Sequence, residues 1–168
     1  MLITPVTASW ELFYCQDMKN LSNLNTYDVI TCLCDSFNYI LSKEEVSLFF
    51  KEVSMHLKKD GLFILRDFHP VSTKLISSRG STAKVRKHKV TGDYFDTSLK
   101  EKAVAYSKYS EAEEPSEKVY LRLWNLGEII TSASTAGFTI KTLTEEPNLS
   151  SESYDKGIPK TFTLTATK

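Results

Sequence analysis

Glycine is scarce in this sequence and nowhere clustered. The six glycines stand at 61, 80, 92, 127, 137 and 157 of 168 residues. No two are close enough to build a glycine-rich turn that cradles a phosphate or nucleotide. Cysteine is limited to Cys15, Cys32 and Cys34, an odd and clustered set. That excludes a disulfide framework and reads as reduced thiols of a core or site wall in a cytoplasmic protein. Cys32 and Cys34 offer two soft ligands on one strand face, short of a tetrahedral set, so no metal is expected. Net charge is also missing: 21 Lys and Arg balance 21 Asp and Glu. Neither nucleic acid nor an acidic membrane surface would be attracted in general. No apolar run approaches the roughly 18 to 20 residues of a membrane span. The opening "MLITPVTASW" lacks the basic and apolar regions of a signal peptide. Internal repeats and a domain linker are absent as well.

What is present suits one soluble domain over 1–168, with 41% hydrophobic and 25% charged residues. "YDVITCLC" (Tyr27–Cys34) is an apolar run with little alternation, as expected of a strand buried on both faces. In "LSKEEVSLFFKEVSMHLKKDG", Ser42 and Glu45 form a capping box, and Val46, Phe49, Phe50, Val53 and Leu57 recur at helical spacing. Gly61 is the expected helix stop. "LFILRDF" (Leu62–Phe68) is a second buried strand, so strand, helix and strand predict a βαβ unit with parallel strands.

An inserted segment covers about 71–120. Its basic cluster "KVRKHK" (Lys84–Lys89) has no interleaved aromatics and reads as a solvated loop, not a nucleic-acid patch. "AVAYSKY" and "KVYLRLW" predict an antiparallel pair around the acidic "SEAEEPSE". "NLGEIITSASTAGF" predicts a helix from Asn125 to Gly137, and "FTIKTLTEE" and "KTFTLTATK" the last two strands.

With these elements in order, "YDVITCLCDSFNYIL … FFKEVSMHLKKDGLFILRDFHP" resembles the central part of class I S-adenosylmethionine-dependent methyltransferases. Asp17 in "CQDM", Tyr27–Val29, and Leu57–Gly61 match the acid closing the family's third strand, its fourth strand, and the helix end before its fifth. "LRLWNLGEIITSASTAGFTIKTLTEEP" and "GIPKTFTLTATK" are similar to the last helix and closing hairpin. The resemblance implies an α/β fold, a truncated Rossmann-like sheet, mostly parallel with an antiparallel C-terminal hairpin. It implies methyl transfer from S-adenosyl-L-methionine to a small-molecule acceptor.

The departure lies at the front. The family opens with a strand and a "G-x-G-x-G" turn, and only a dozen residues precede "FYCQDM". The expectation is therefore a chain without its front third, with weak or absent cofactor affinity. In the family's order, 3-2-1-4-5-7-6, "YDVITCLC" would become an exposed apolar edge. Either "WELFYC" covers that edge or two chains pair there as a homodimer. The alternative function is then a non-catalytic dimeric interaction protein.

The resemblance implies that Asp17 accepts from the adenine amino group, with the Met18 backbone against the ring; otherwise Asp17 begins a surface turn with Asn20 and Asn23. Leu33 and Cys34 would line the methyl-transfer site. Asp35, Asn38 and Tyr39 are candidates for substrate contact, although Asp35 could instead cap "SFNYIL" and Tyr39 could simply pack. Asp67 and His69 end the next strand on the same rim, where ligands of open α/β sheets bind. His69 is either a general base or a structural histidine before a turn proline. Tyr94, Phe95, Tyr106, Tyr109 and Trp124 either wall a substrate pocket or form a satellite core under the insertion.

Overall fold

The computed structural model describes residues 14–22, 24–75, 90, 92–103, 118–147 and 158–168. The chain enters β1 (Tyr27–Cys32), makes one 3-10 turn at Ser36–Tyr39, and continues into α1 (Lys43–His56). β2 (Leu57–Phe68) leaves α1 directly and is followed by a π-type turn, Val71–Leu75. β3 (Lys100–Ala103) and β4 (Lys118–Leu121) form a separate two-stranded ribbon. α2 (Leu126–Thr135), β5 (Thr139–Pro147) and β6 (Pro159–Thr167) complete the order.

The main sheet runs β1-β2-β6-β5. β1 and β2 are adjacent and parallel, with Val29 opposite Leu62 and Cys32 opposite Leu65. The βαβ expectation from spacing is therefore met. β6 lies antiparallel between β2 and β5, as expected of a closing hairpin. Burial along β2 alternates: Phe63, Leu65 and Asp67 face the helix layer, while Arg66 and Phe68 face out.

α1 begins where the capping box predicts. The Ser42 hydroxyl accepts from the Glu45 N–H at 3.2 Å, and the Glu45 carboxylate accepts from the N–H groups of Ser42 and Leu41. The Lys19 ammonium donates to the same carboxylate at 2.7 Å and, with those N–H groups, holds its pKa below the ordinary value. The helix ends earlier than the sequence suggests. Its last residue is His56, and the left-handed residue beyond it is Asp60 (φ 63°), not Gly61. Gly61 lies in β2, where a Cβ would stand 2.9 Å from the Leu57 side chain and the Lys58 carbonyl. Close approach, not helix termination, is what requires glycine there. α2 does end at its glycine: Gly137 has φ 91°, and the N–H groups of Gly137 and Phe138 donate back to Ser134 and Ala133.

Aromatic rings tie the helices to the sheet. Phe50 lies 5.2 Å from Phe49, 5.9 Å from Phe37, and 6.0 Å from both Phe63 and Phe138, ring centre to ring centre. All five rings are buried. These spacings are those of favourable offset and edge-to-face pairs. The opposite face of the sheet differs from expectation. Val29 is 50% exposed, and Leu62 and Ile64, on the same face of β2, are only half-buried. Apolar β-branched residues therefore did not signal two-sided burial here.

In the insertion, β3 pairs with β4 from Lys100 opposite Leu121 to Ala103 opposite Lys118. The described pairing thus lies mainly before the predicted "AVAYSKY". Tyr106, Tyr109, Lys84–Lys89 and the acidic loop lie outside the described residues.

Phe50→Ala is expected to cost about 3 to 5 kcal/mol of stability, because four neighbouring rings lose contacts at once. Urea unfolding checks it. A loss below about 1 kcal/mol would mean that the ring cluster does not hold the helix layer to the sheet.

Candidate functional site at the carboxyl ends of β1 and β2

The rim begins with a bend. After Cys32 the chain leaves β1 through Leu33, and Cys34 (φ 60°) and Asp35 (φ 66°) both adopt the left-handed conformation. Asparagine and aspartate tolerate that region; cysteine does so less readily. Two such residues in sequence turn the backbone sharply into the Ser36–Tyr39 turn. Phe37 then anchors the turn, fully buried and packed edge-on against Phe49 at 5.5 Å and Trp124 at 6.0 Å. With Phe37 in the core, its neighbours divide: Asn38 is buried and Tyr39 is 45% exposed.

Asn38 meets the end of β2. Its side-chain N–H2 donates to the Asp35 carboxylate at 2.6 Å and to the Asp67 carboxylate at 3.2 Å. Its side-chain oxygen accepts from the Trp124 N–H at 3.4 Å, and its carbonyl accepts from the Arg122 N–H at 2.9 Å. Every polar group of the amide side chain is engaged. Asp67 also accepts from the Phe68 N–H at 2.6 Å. Burial drives the Asp67 pKa up from 3.8 to about 7; the Phe68 N–H opposes this, and the negative Asp35 beside it adds to the rise. Cys32, on β1, has its thiol pushed up to about 12, mainly by burial and then by Asp67. Cys32 is therefore a thiol and not a reactive thiolate.

The predicted site residues distribute unevenly. Leu33, Cys34, Asp35, Asn38 and Tyr39 gather at this rim with Asp67. Leu33 is 41% exposed and Cys34 is exposed, so both stand where a bound molecule could touch them. Asn38 does not: it is 5% exposed and saturated by protein partners. Asp35 gives no side-chain cap to the turn that follows it; its carboxylate goes to Asn38 instead. His69 is 3% exposed. Its Nε2 donates to Glu145 at 2.7 Å, and its Nδ1 accepts from the Val71 N–H at 3.1 Å. No ring nitrogen is left for a substrate, which favours the structural alternative for His69. Trp124 is 3% exposed; its indole N–H donates to the Ile40 carbonyl at 2.9 Å and the Arg122 guanidinium stacks on it at 3.7 Å. That places Trp124 in the core and not on a pocket wall. Tyr94 is half-buried beneath the Lys74 ammonium, 5.7 Å from its ring, and Phe95 is exposed. The residue that sequence reasoning undervalued is Asp67. Its signal was available: an acid in the alternating row of Phe63 and Leu65 must be buried.

On the side expected to meet adenine, Asp17 is exposed and forms a turn, accepting from the Lys19 N–H at 2.9 Å. Met18 packs against the core. The described glycines are Gly61, Gly92, Gly127 and Gly137, and none stands in a strand-to-helix turn. The described residues therefore fit at most the adenine edge and the transfer wall of S-adenosylmethionine, not its methionyl part. A separate groove of about 440 Å³ lies between α1 and α2, lined by Lys43, Lys51, Met55, Thr131 and Thr135 among others; no rim residue borders it.

No protein-family model matches the chain. A candidate methyltransferase of Geobacillus sp. (strain WCH70) is 40% identical over 57 residues, which are 34% of this chain and 23% of that protein. Among solved structures, a candidate S-adenosylmethionine-dependent methyltransferase from Listeria monocytogenes superposes with a TM-score of 0.65 at 22% identity, over 97% of this chain and 72% of that one. The chain has the fold of S-adenosylmethionine-dependent methyltransferases. The glycopeptide N-methyltransferase MtfA, solved with S-adenosyl-L-methionine, shares that fold at a TM-score of 0.55 and 14% identity, over 90% of this chain and 62% of that one. The chain thus matches about a quarter of the curated relative's length and about three-fifths of MtfA's.

The buried carboxyl makes stability depend on pH. The folded pKa of Asp67 is raised, so the folded chain holds this proton more tightly than the unfolded chain. The contribution is fully present below about pH 4 and is lost as pH rises through about 7. An upper bound for the change is about 4 kcal/mol. Asp67→Asn is expected to flatten that decline, read by urea unfolding at several pH values. An unchanged slope in the variant would refute the assignment.

Proposed function

We propose that this chain carries the acceptor side of a methyltransferase site, and that the activity of the intact fold is methyl transfer from S-adenosyl-L-methionine to a small-molecule nucleophile. The observation that carries this reading is Asp67: a carboxyl buried at the carboxyl end of a strand in a sheet of methyltransferase order, where burial pushes its pKa up to about 7. A carboxyl at that pKa is divided between acid and base near neutrality; Asp67 is itself 5% exposed, so a proton from a hydroxyl or amine held at the rim would reach it by way of the half-buried Asp35. Leu33, Cys34 and Tyr39 supply the exposed wall, with Asp35 beside it. Asp17 and Met18 are proposed to meet the adenine of the cofactor. MtfA has been crystallised with both S-adenosyl-L-methionine and S-adenosyl-L-homocysteine, which supports the cofactor class.

The sequence holds no glycine pair that could receive the methionyl part. Affinity of this chain by itself is therefore weak or nil. Calorimetric titration with S-adenosyl-L-methionine and S-adenosyl-L-homocysteine is expected to give no binding at micromolar concentrations. Micromolar binding would show that other residues replace the glycine turn.

A second reading has its own observation. Among the described residues β1 has a ladder partner on one side only, and its Val29 is half exposed. Such an edge invites pairing with a second copy. Light scattering is expected to report a dimer if that edge is paired between chains, and a concentration-independent monomer would remove the reading.

A further inference from the structure

We propose that Asn38 is a positioning residue, whose side-chain amide bridges Asp35 and Asp67 and so holds the charge of Asp35 beside the Asp67 carboxyl. The inference deepens the acceptor-side reading by assigning the control of its proton to a group that cannot itself touch substrate.

The geometry leaves Asn38 little other role. One N–H goes to Asp35 and the other to Asp67, while the amide oxygen is taken by the Trp124 N–H. The two acids come from different strands' ends and have no covalent reason to stay together. Asp35 sits on a bend with two left-handed residues, and Asp67 on a regular strand. A negative charge held beside a buried carboxyl disfavours its ionised form, and Asp35 acts on Asp67 in that direction. A primary amide bridges both because it offers two donors on one nitrogen. Neither serine nor leucine could do so, and aspartate would add a third acid. The bridge is itself held from behind: Phe37 is buried next to it, and the Asn38 carbonyl binds the Arg122 N–H.

Other titratable groups around the pair are few. Cys32 and Cys34 flank it from β1 and the bend, and Lys102 of β3 exerts a weaker attraction on Asp67. His69, two residues beyond Asp67, is committed to Glu145. Cys32 stays protonated across the neutral range. Asp35 is thus the partner whose charge Asp67 senses most, after burial and its own backbone bond.

The test reads the proton directly and needs no methyl donor, so it stands or falls apart from the calorimetric test of function. Carboxyl-carbon NMR of the full chain follows the Asp67 midpoint with pH. In the native background, Asp35→Asn is expected to lower that midpoint by about one pH unit or more, because a like charge is removed. In an Asn38→Ala background, the same Asp35→Asn change is expected to move it by less than about a third of that, because nothing holds Asp35 in place. Asn38→Ser serves as a second background should the alanine variant unfold. An Asp67 midpoint that drops equally with or without Asn38 would overturn the proposal. So would a native Asp67 that ignores Asp35→Asn.

Discussion

The packing of Phe37 against Phe49 and Trp124 is the contact on which the rim depends. β1 ends in a bend that no hydrogen-bonded ladder enforces. The bend is held because the residue just beyond it drops an entire ring into the helix layer. With that ring in the core, the next side chain, Asn38, reaches the end of β2. Apolar packing, which has no directional chemistry of its own, thereby sets hydrogen-bond distances of 2.6 and 3.2 Å on a pair of acids.

The pair is a local expense within a well-satisfied structure. Burying a carboxyl is unfavourable unless it is paired or protonated, and Asp67 uses both routes. His69 shows the opposite case. It stands one residue past the end of β2, yet both ring nitrogens have protein partners and Phe162 packs edge-on against it at 6.2 Å. Two polar residues of similar sequence context thus diverge. One is locked by its neighbours into the wall of the sheet, whereas the other is a carboxyl whose pKa burial raises.

The sheet is asymmetric in its cover. α1 packs its rings, and α2 its Ile129 and Ala133, on the face that carries Phe63, Leu65 and Asp67, while Val29 looks away from that layer. The likeness to the candidate methyltransferase of Listeria monocytogenes and to MtfA is one of fold, over 97% and 90% of this chain.

Much of the fold was legible in the residues. The capping box at Ser42 and Glu45, the helical recurrence of Phe49, Phe50 and Val53, the glycine after α2, and the parallel βαβ pair follow from local rules, because capping, periodicity and short connections act within a few residues. The end of α1 was less so: Asp60, not Gly61, takes the left-handed conformation, and position 61 is glycine because a Cβ there would meet the Leu57 side chain and the Lys58 carbonyl at 2.9 Å. The position of the rim on strand ends was legible too, but not the roles on it. Whether Asn38, His69 or Trp124 faces solvent depends on partners 76 to 86 residues away: Glu145 for His69, the 122–124 segment for Asn38, and Ile40 for Trp124. Chain-local pattern determined which residues make strands and helices. Only tertiary packing decided which polar groups are spent on each other, since burial and hydrogen-bond competition are settled between segments that are distant in sequence.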